Sequence, residues 1–253
     1  MKHYDVLGVT VSAVQIPDAI GVMEEWIAAA GAPRYVTVTG MHGVTVAQND
    51  PGFLRVLNGS GMTVADGMPL VWLGRRRGHA AMRRRVYGPE LMATFCRQTG
   101  ARYAHYLYGG SPEVVQKLSA VLQADFGVRV VGAYSPPFRA LTADEEAEVA
   151  ARIDASGADV VWVGLSTPKQ ERWMAAFQGR LRAPVLVGVG AAFDFLAGVK
   201  PFAPVWMQER GLEWLFRLVS EPRRLWRRYL VSGPEFVYRV LRAELGPRST
   251  SGS

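Results

Sequence analysis

Residues 159–188 read DVVWVGLSTPKQERWMAAFQGRLRAPVLVG. Two short apolar runs, Asp159–Val163 and Pro184–Gly188, enclose a stretch from Pro168 to Gln178 that reads as a helix. Strand, helix and strand within about 30 residues make a βαβ unit, which sets its two strands parallel. A strand that is apolar at consecutive positions has no solvent face, so its sheet is expected to be covered by helices on both sides.

The same rhythm runs upstream. Short runs at Tyr35–Thr39, Met62–Ala65, Ala104–Tyr108 and Val128–Val131 alternate with helical stretches at Pro51–Leu57, Gly88–Gln98, Pro112–Phe126 and Ala143–Ala155. The expected class is α/β, a Rossmann-like parallel sheet with helices on both faces. Ligands of such sheets bind outside the carboxyl ends of the strands. The segments there are Thr39–His42, Asp66–Pro69, Tyr108–Ser111, Gly164–Gln170 and Gly188–Ala191. Their glycines, among them Gly109, Gly110, Gly188 and Gly190, either let the backbone approach a phosphate or simply turn strand into helix. The dinucleotide fingerprint and the Walker A loop are both absent from the sequence, so dinucleotide and ATP binding lack their motifs.

At 253 residues the chain holds one large domain and an appendage, not two catalytic domains. A hydrophobic fraction of 49% excludes a mostly disordered chain. Cys96 is the only cysteine, so neither an internal disulfide nor a cysteine–zinc cluster holds the fold, and a reducing compartment is expected. Residues 1–23 lack the pattern of a signal peptide, and no run of about 18 apolar residues occurs. This reads as a cytoplasmic protein able to lie on a membrane. The net charge of +7 favours an anionic partner. It is concentrated in two clusters, Arg75–Arg77 with Arg83–Arg85, and the arginines from Arg217 to Arg242.

From about Val205 the composition turns to Trp, Leu and Arg, and Pro222 and Gly233-Pro234 are expected to break the run into about three helices. Apolar residues recur there at helical spacing with arginines between them. That pattern suits docking on anionic lipid, and equally packing on a core or a second subunit. The expected organisation is an α/β body over residues 1–204, a helical arginine-rich appendage over 205–247 and a disordered end at 248–253.

Three stretches go beyond fold class. The first holds Val38-Thr-Gly-Met-His-Gly-Val44, Ala65-Asp-Gly-Met-Pro-Leu-Val-Trp72 and Arg85-Val-Tyr-Gly88. The second is Gly164–Trp173. The third runs from Gly188 to Tyr229, with Gly188-Val-Gly-Ala-Ala-Phe-Asp-Phe195, Ala203-Pro-Val-Trp206, Gly211-Leu-Glu-Trp214 and Glu221-Pro-Arg-Arg-Leu225. In order and spacing these blocks resemble the WecG/TagA/CpsF glycosyltransferases, from about Tyr4 to Leu241. The resemblance implies inverting transfer of a sugar from a UDP-sugar donor to a polyprenyl-diphosphate-linked acceptor, in cell-surface polysaccharide synthesis. It implies a peripheral enzyme at the inner face of the membrane.

The resemblance also implies roles. Asp66 matches the family's proposed base, able to take the acceptor hydroxyl's proton; read without the family, it is a carboxylate that caps the next helix or binds backbone N–H groups in the turn. His42 is a competing base or substrate contact, or simply a helix-start residue, standing near the point where many members carry Asn. Thr39, Gly67, Arg85, Lys169, Gln170 and Asp194, with Gly109, Gly110, Gly188 and Gly190, are expected around the nucleotide-sugar; Asp194 reads equally as a structural carboxylate. Arg217, Arg224 and Arg228 match arginines expected over the acceptor diphosphate. Phe202 stands where a basic residue often precedes Ala-Pro-x-Trp, leaving one phosphate contact without its match. With no Asp-x-Asp pair in the sequence, no metal and no cofactor are expected. The rival reading is a basic phosphate- or nucleic-acid-binding α/β protein, for which no recognised nucleic-acid motif is present.

Overall fold

The computed structural model describes residues 1–204, 206–207 and 210–245. Val205, the expected start of the appendage, and its end with residues 248–253 lie outside the described residues.

The chain opens with an antiparallel hairpin, β1 (His3–Val6) and β2 (Val9–Ser12). Leu7 and Gly8 turn it, both at positive φ (53° and 81°), as a two-residue loop matched to strand twist requires. Helix α1 (Ile16–Ala29) leads into the main sheet. There β3 (Arg34–Thr39) is followed by α2 (Met41–Asn49) and α3 (Pro51–Asn58), and β4 (Met62–Ala65) by α4 (Met68–Arg76) and α5 (Gly88–Thr99). Next come β5 (Ala104–Gly109), α6 (Pro112–Phe126), β6 (Arg129–Tyr134), α7 (Ala143–Ala155), β7 (Val160–Gly164), α8 (Lys169–Phe177), β8 (Val185–Gly188) and α9 (Ala192–Leu196). The six strands pair in the order β4-β3-β8-β7-β5-β6, every neighbour parallel.

Side chains one residue apart on a strand enter opposite layers. Val160 and Trp162 of β7, with Val185 and Val187 of β8, join an apolar cluster with α1, α5, α6 and α9. Val161, Val163 and Leu186 join the other, against α7 and α8. Both faces are therefore covered, as the uninterrupted apolar run at 159–163 implies. A third cluster packs the hairpin against α2, α3 and α4.

The tail is α10 (Glu213–Ser220), α11 (Pro222–Trp226), a π-helical turn at Arg227–Val231 and α12 (Ser232–Leu245). Pro222 opens a helix, at a position where its missing N–H has no intrahelical partner to lose. Gly233-Pro234, expected to break the run, does not: the π turn, in which Ser232 N–H donates to Arg227 O, runs straight into α12. Such a wide turn relieves the carbonyl that a proline ring would strike. Helix α12 lies on α2, where Thr45 Oγ1 donates to Ser232 O (3.2 Å) and Arg239 donates to Asn49 Oδ1 (2.9 Å). Its Phe236 is buried in the hairpin cluster.

One backbone approach fixes the ends of the central strands. Gly109 (φ +119°) pairs with Gly164, and a Cβ on it would lie 2.7 Å from the Gly164 carbonyl. Gly109→Ala is expected to destabilise the protein by about 3 kcal/mol or more in urea unfolding; a loss below about 1 kcal/mol would show that the two strand ends separate easily.

Candidate active site

A cleft of about 250 Å³ opens over the carboxyl ends of β4, β3, β8 and β7, four neighbouring strands, and the tail closes one side. From β3 and β4 come Val38, His42 and Asp66, and from the segment leading into α5, Tyr87. The loop after β7 gives Ser166, Thr167 and Gln170, and that after β8 gives Gly190 and Ala191. The tail contributes Arg217, Arg224, Arg227 and Arg228.

Asp66 follows directly on β4, its N–H donating to Thr39 O (2.9 Å). The neighbouring turn is held close by a glycine: a Cβ on Gly40 would stand 2.4 Å from Asp66 O. The N-cap of α4 is Gly67, at φ +138°, and Asp66 Oδ1 is buried with no hydrogen-bond partner among the described residues. The carboxylate therefore caps no helix. Burial pushes its pKa above the usual carboxylate range; the Arg85, Arg228 and Arg217 charges oppose that shift and the Glu213 charge adds to it. A carboxylate kept short of water and of donors is a stronger base than an exposed one.

His42, in the first turn of α2, is held neutral: burial, with Arg228 nearby, pushes its pKa down to about 4. Its Nδ1 lies 3.3 Å from Ser232 Oγ of the tail. Gln170 is buried at the start of α8, with Nε2 donating to Glu171 Oε1 (3.1 Å) and Oε1 left without a partner. Gly188 makes room for this amide, since a Cβ there would lie 3.1 Å from Gln170 Nε2 and 2.7 Å from Met174 Cε. Beneath it Glu171 is fully buried, also accepts from Thr167 Oγ1 (2.8 Å), and has its pKa raised by burial.

Asp66, His42, Gln170, Gly190, Arg217, Arg224 and Arg228 thus meet in one cleft. The other expected site residues lie elsewhere. Thr39 is buried behind α2, its Oγ1 without a partner, and Gly67 turns the chain into α4. Gly109 ends β5, a strand beyond the cleft, and Gly110 follows it; they pack on Gly164 and Phe193. Lys169 is exposed and Gly188 lies under Gln170. Asp194 pairs with Lys200 (2.7 Å), which also reaches Glu221 (3.2 Å). Arg85 is engaged by Glu213 of α10, with its guanidinium 4.2 Å from the Tyr87 ring centroid.

Sequence reasoning passed over Tyr87, Thr167, Phe195 and Arg227, each within a quoted block or beside a named residue but silent as to direction. It also passed over Glu213, an acid within the quoted block Gly211–Trp214 whose partner the sequence does not indicate. Among the described residues, no three His, Cys, Asp or Glu side chains gather as a metal ion would require.

A parallel α/β sheet with a buried carboxylate at its strand ends and arginines over the opening has its cleft where ligands of such sheets bind. Residues 4–250 match the glycosyl transferase WecG/TagA/CpsF family, and the chain belongs to it. It is a glycosyltransferase of cell-surface polysaccharide synthesis, with a sugar donor and an acceptor.

Proposed function

We propose that the chain transfers a sugar, with inversion, from a UDP-sugar to a hydroxyl of a polyprenyl-diphosphate-linked acceptor, with Asp66 as the base. The observation that carries this reading is the buried Asp66 carboxylate, Oδ1 unpartnered, facing a cleft lined by four arginines. The acceptor O–H gives its proton to Asp66 as its oxygen bonds to the anomeric carbon. The bond from that carbon to UDP breaks on the opposite face, and UDP leaves with the electron pair. Arg217, Arg224 and Arg228 take the acceptor diphosphate, for which forked guanidinium donors are suited. The free Oε1 of Gln170 accepts from a sugar hydroxyl or amide N–H. The cleft is smaller than the ~300–1,000 Å³ of pockets that enclose a whole ligand. It fits the reacting ends of the two substrates while the nucleotide and lipid extend beyond it. Donors compatible with the reading are UDP-N-acetylmannosamine, its uronic acid and UDP-glucose.

The test is UDP release by the purified chain with these donors and a short polyprenyl-diphosphate-sugar. Acceptor-dependent release from one donor is expected; release from none would leave the phosphate-binding alternative. Chelation with EDTA is expected to change turnover by less than about twofold, because the cleft arginines can supply the positive charge that a metal would otherwise bring to a diphosphate; a larger, metal-reversible loss would overturn the metal-independent reading.

The same reading places the enzyme on anionic lipid. No helix among the described residues is long and apolar enough to cross a membrane. The tail nevertheless exposes Trp214, Val219, Trp226, Leu230, Tyr238, Leu241 and Leu245, and α4 exposes Trp72 beside Arg75 and Arg76. Each cation near such a surface contributes about 1 kcal/mol. The protein is expected to sediment with phosphatidylglycerol vesicles, to be released by salt, and to ignore phosphatidylcholine vesicles. Absence of sedimentation, with a dimer or trimer mass in solution, would assign the apolar face to a second subunit.

A further inference from the structure

We infer that Glu213 and Arg85 form a positioning pair that seats the tail on the body and directs Arg217 into the cleft. The Arg85 end is fixed to the body. Val86 N–H donates to Ala65 O (2.9 Å), setting the Arg85–Tyr87 segment beside β4, and the guanidinium rests on the Tyr87 ring. The Glu213 end belongs to the tail, in the first turn of α10, where the helix dipole favours a negative charge. Its side chain is only 7% exposed, and its carboxylate accepts from Arg85 Nη2.

The choice of partner is informative. Glu213 and Arg217 stand at i and i+4 in the orientation that favours an ion pair within the helix. The carboxylate instead crosses to Arg85, 128 residues away. Arg217, one turn further along α10, keeps a buried Nε without a hydrogen-bond partner among the described residues, and its guanidinium lies 5.5 Å from the Phe195 ring centroid at the cleft wall. Anchoring at Glu213 therefore leaves Arg217 available to a ligand. It also explains why Arg85 is absent from the cleft lining although it neighbours the base.

The pair acts on the base as well. Asp66 is faced by Arg85 and Tyr87 from the body and by Arg217, Arg228 and Glu213 from the tail, with His42 sharing the cleft. Glu213 brings a negative charge from the tail to this set, and it works against the arginines in holding the Asp66 pKa up.

This second part rests on the reading of Asp66 as the base; the seating itself does not. The experiment compares the full-length chain with Glu213→Gln, Arg85→Met and the double variant by limited trypsin digestion, following release of the tail. Removing one partner of a buried pair leaves the other charge uncompensated, whereas removing both does not. Each single variant is expected to release the tail at least about tenfold faster, and the double variant to fall back toward wild type. Equal release rates for wild type and Glu213→Gln, or additive losses in the double variant, would overturn the pairing even if a single variant folds poorly. In the transfer assay, Glu213→Gln is expected to move the acidic limb of the pH–rate profile to lower pH and Arg85→Met to higher pH, opposite signs that a release of the tail common to both would not produce. An unmoved limb with a released tail would restrict the pair to seating. A wild-type chain that transfers no sugar would count against the proposed function and leave the digestion result standing.

Discussion

Asp66→Asn is expected to leave a folded protein whose transfer rate is lower by about 100- to 10,000-fold, the span that a positioned general base supplies. The amide keeps the size and shape of the carboxyl but cannot accept a proton from the acceptor. Folding should not suffer. Asp66 Oδ1 has no hydrogen-bond partner to lose among the described residues, and burial already disfavours its charged form. The melting temperature of Asp66→Asn is therefore expected to equal or exceed that of wild type. The wild-type profile carries the same signature. A base must be deprotonated, and the Asp66 pKa lies above the ordinary carboxylate value, so kcat/KM should fall as pH drops through that raised pKa. His42 provides the contrast. With its pKa pushed down to about 4 the imidazole holds a proton weakly and is a poor acceptor, so a His42→Gln variant is expected to keep most of its turnover and lose mainly the contact with Ser232. Substantial turnover in Asp66→Asn together with its loss in His42→Gln would transfer the base to the imidazole.

How much of this was legible before the structure differs between the sheet and the tail, for a physical reason. Residues 159–188 announce β7, α8 and β8 because a strand covered on both faces tolerates no polar interruption and a βαβ unit admits a single parallel geometry. The strand-end rule then led to five loops, four of which reach the cleft. The fifth, with Gly109 and Gly110, does not, because strand order is a long-range property: β5 lies beyond β7 and its glycines serve close packing against Gly164 and Phe193. Arg85 and Asp194 show a second limit. A charged residue in a motif has an identity but no direction, and both are engaged by partners far along the chain or on another element, Glu213 and Lys200. The tail was readable as helical and basic. Its continuous path through Gly233-Pro234 was not, because a π turn is a property of hydrogen-bond spacing that residue type barely marks.

The tail arginines carry the second large prediction. Arg217→Met is expected to lower kcat/KM for the lipid-linked acceptor by about 10- to 100-fold, as removal of a charge-assisted donor in a partly enclosed site should. The form of the loss matters as much as its size. The acceptor diphosphate has the same charge before, during and after transfer, so an arginine that grips it binds ground and transition states alike, and the loss should appear in the acceptor KM with kcat nearly unchanged. UDP gains charge as its bond to the sugar breaks, so a loss confined to kcat would place Arg217 on the departing nucleotide instead. Arg224→Met should cost less, because Arg224 is already paired with Glu221 (2.7 Å) and only part of its donor set is free. The base records the change too. Arg217 holds the Asp66 pKa down, so removing it should raise that pKa and carry the acidic limb to higher pH, opposite in sign to Glu213→Gln. Limbs moving in opposite directions in these two variants would mean that one helix turn of the tail, Glu213 to Arg217, sets both the hold on the acceptor and the proton affinity of the base. The same direction in both would mean that the tail reaches Asp66 only through burial.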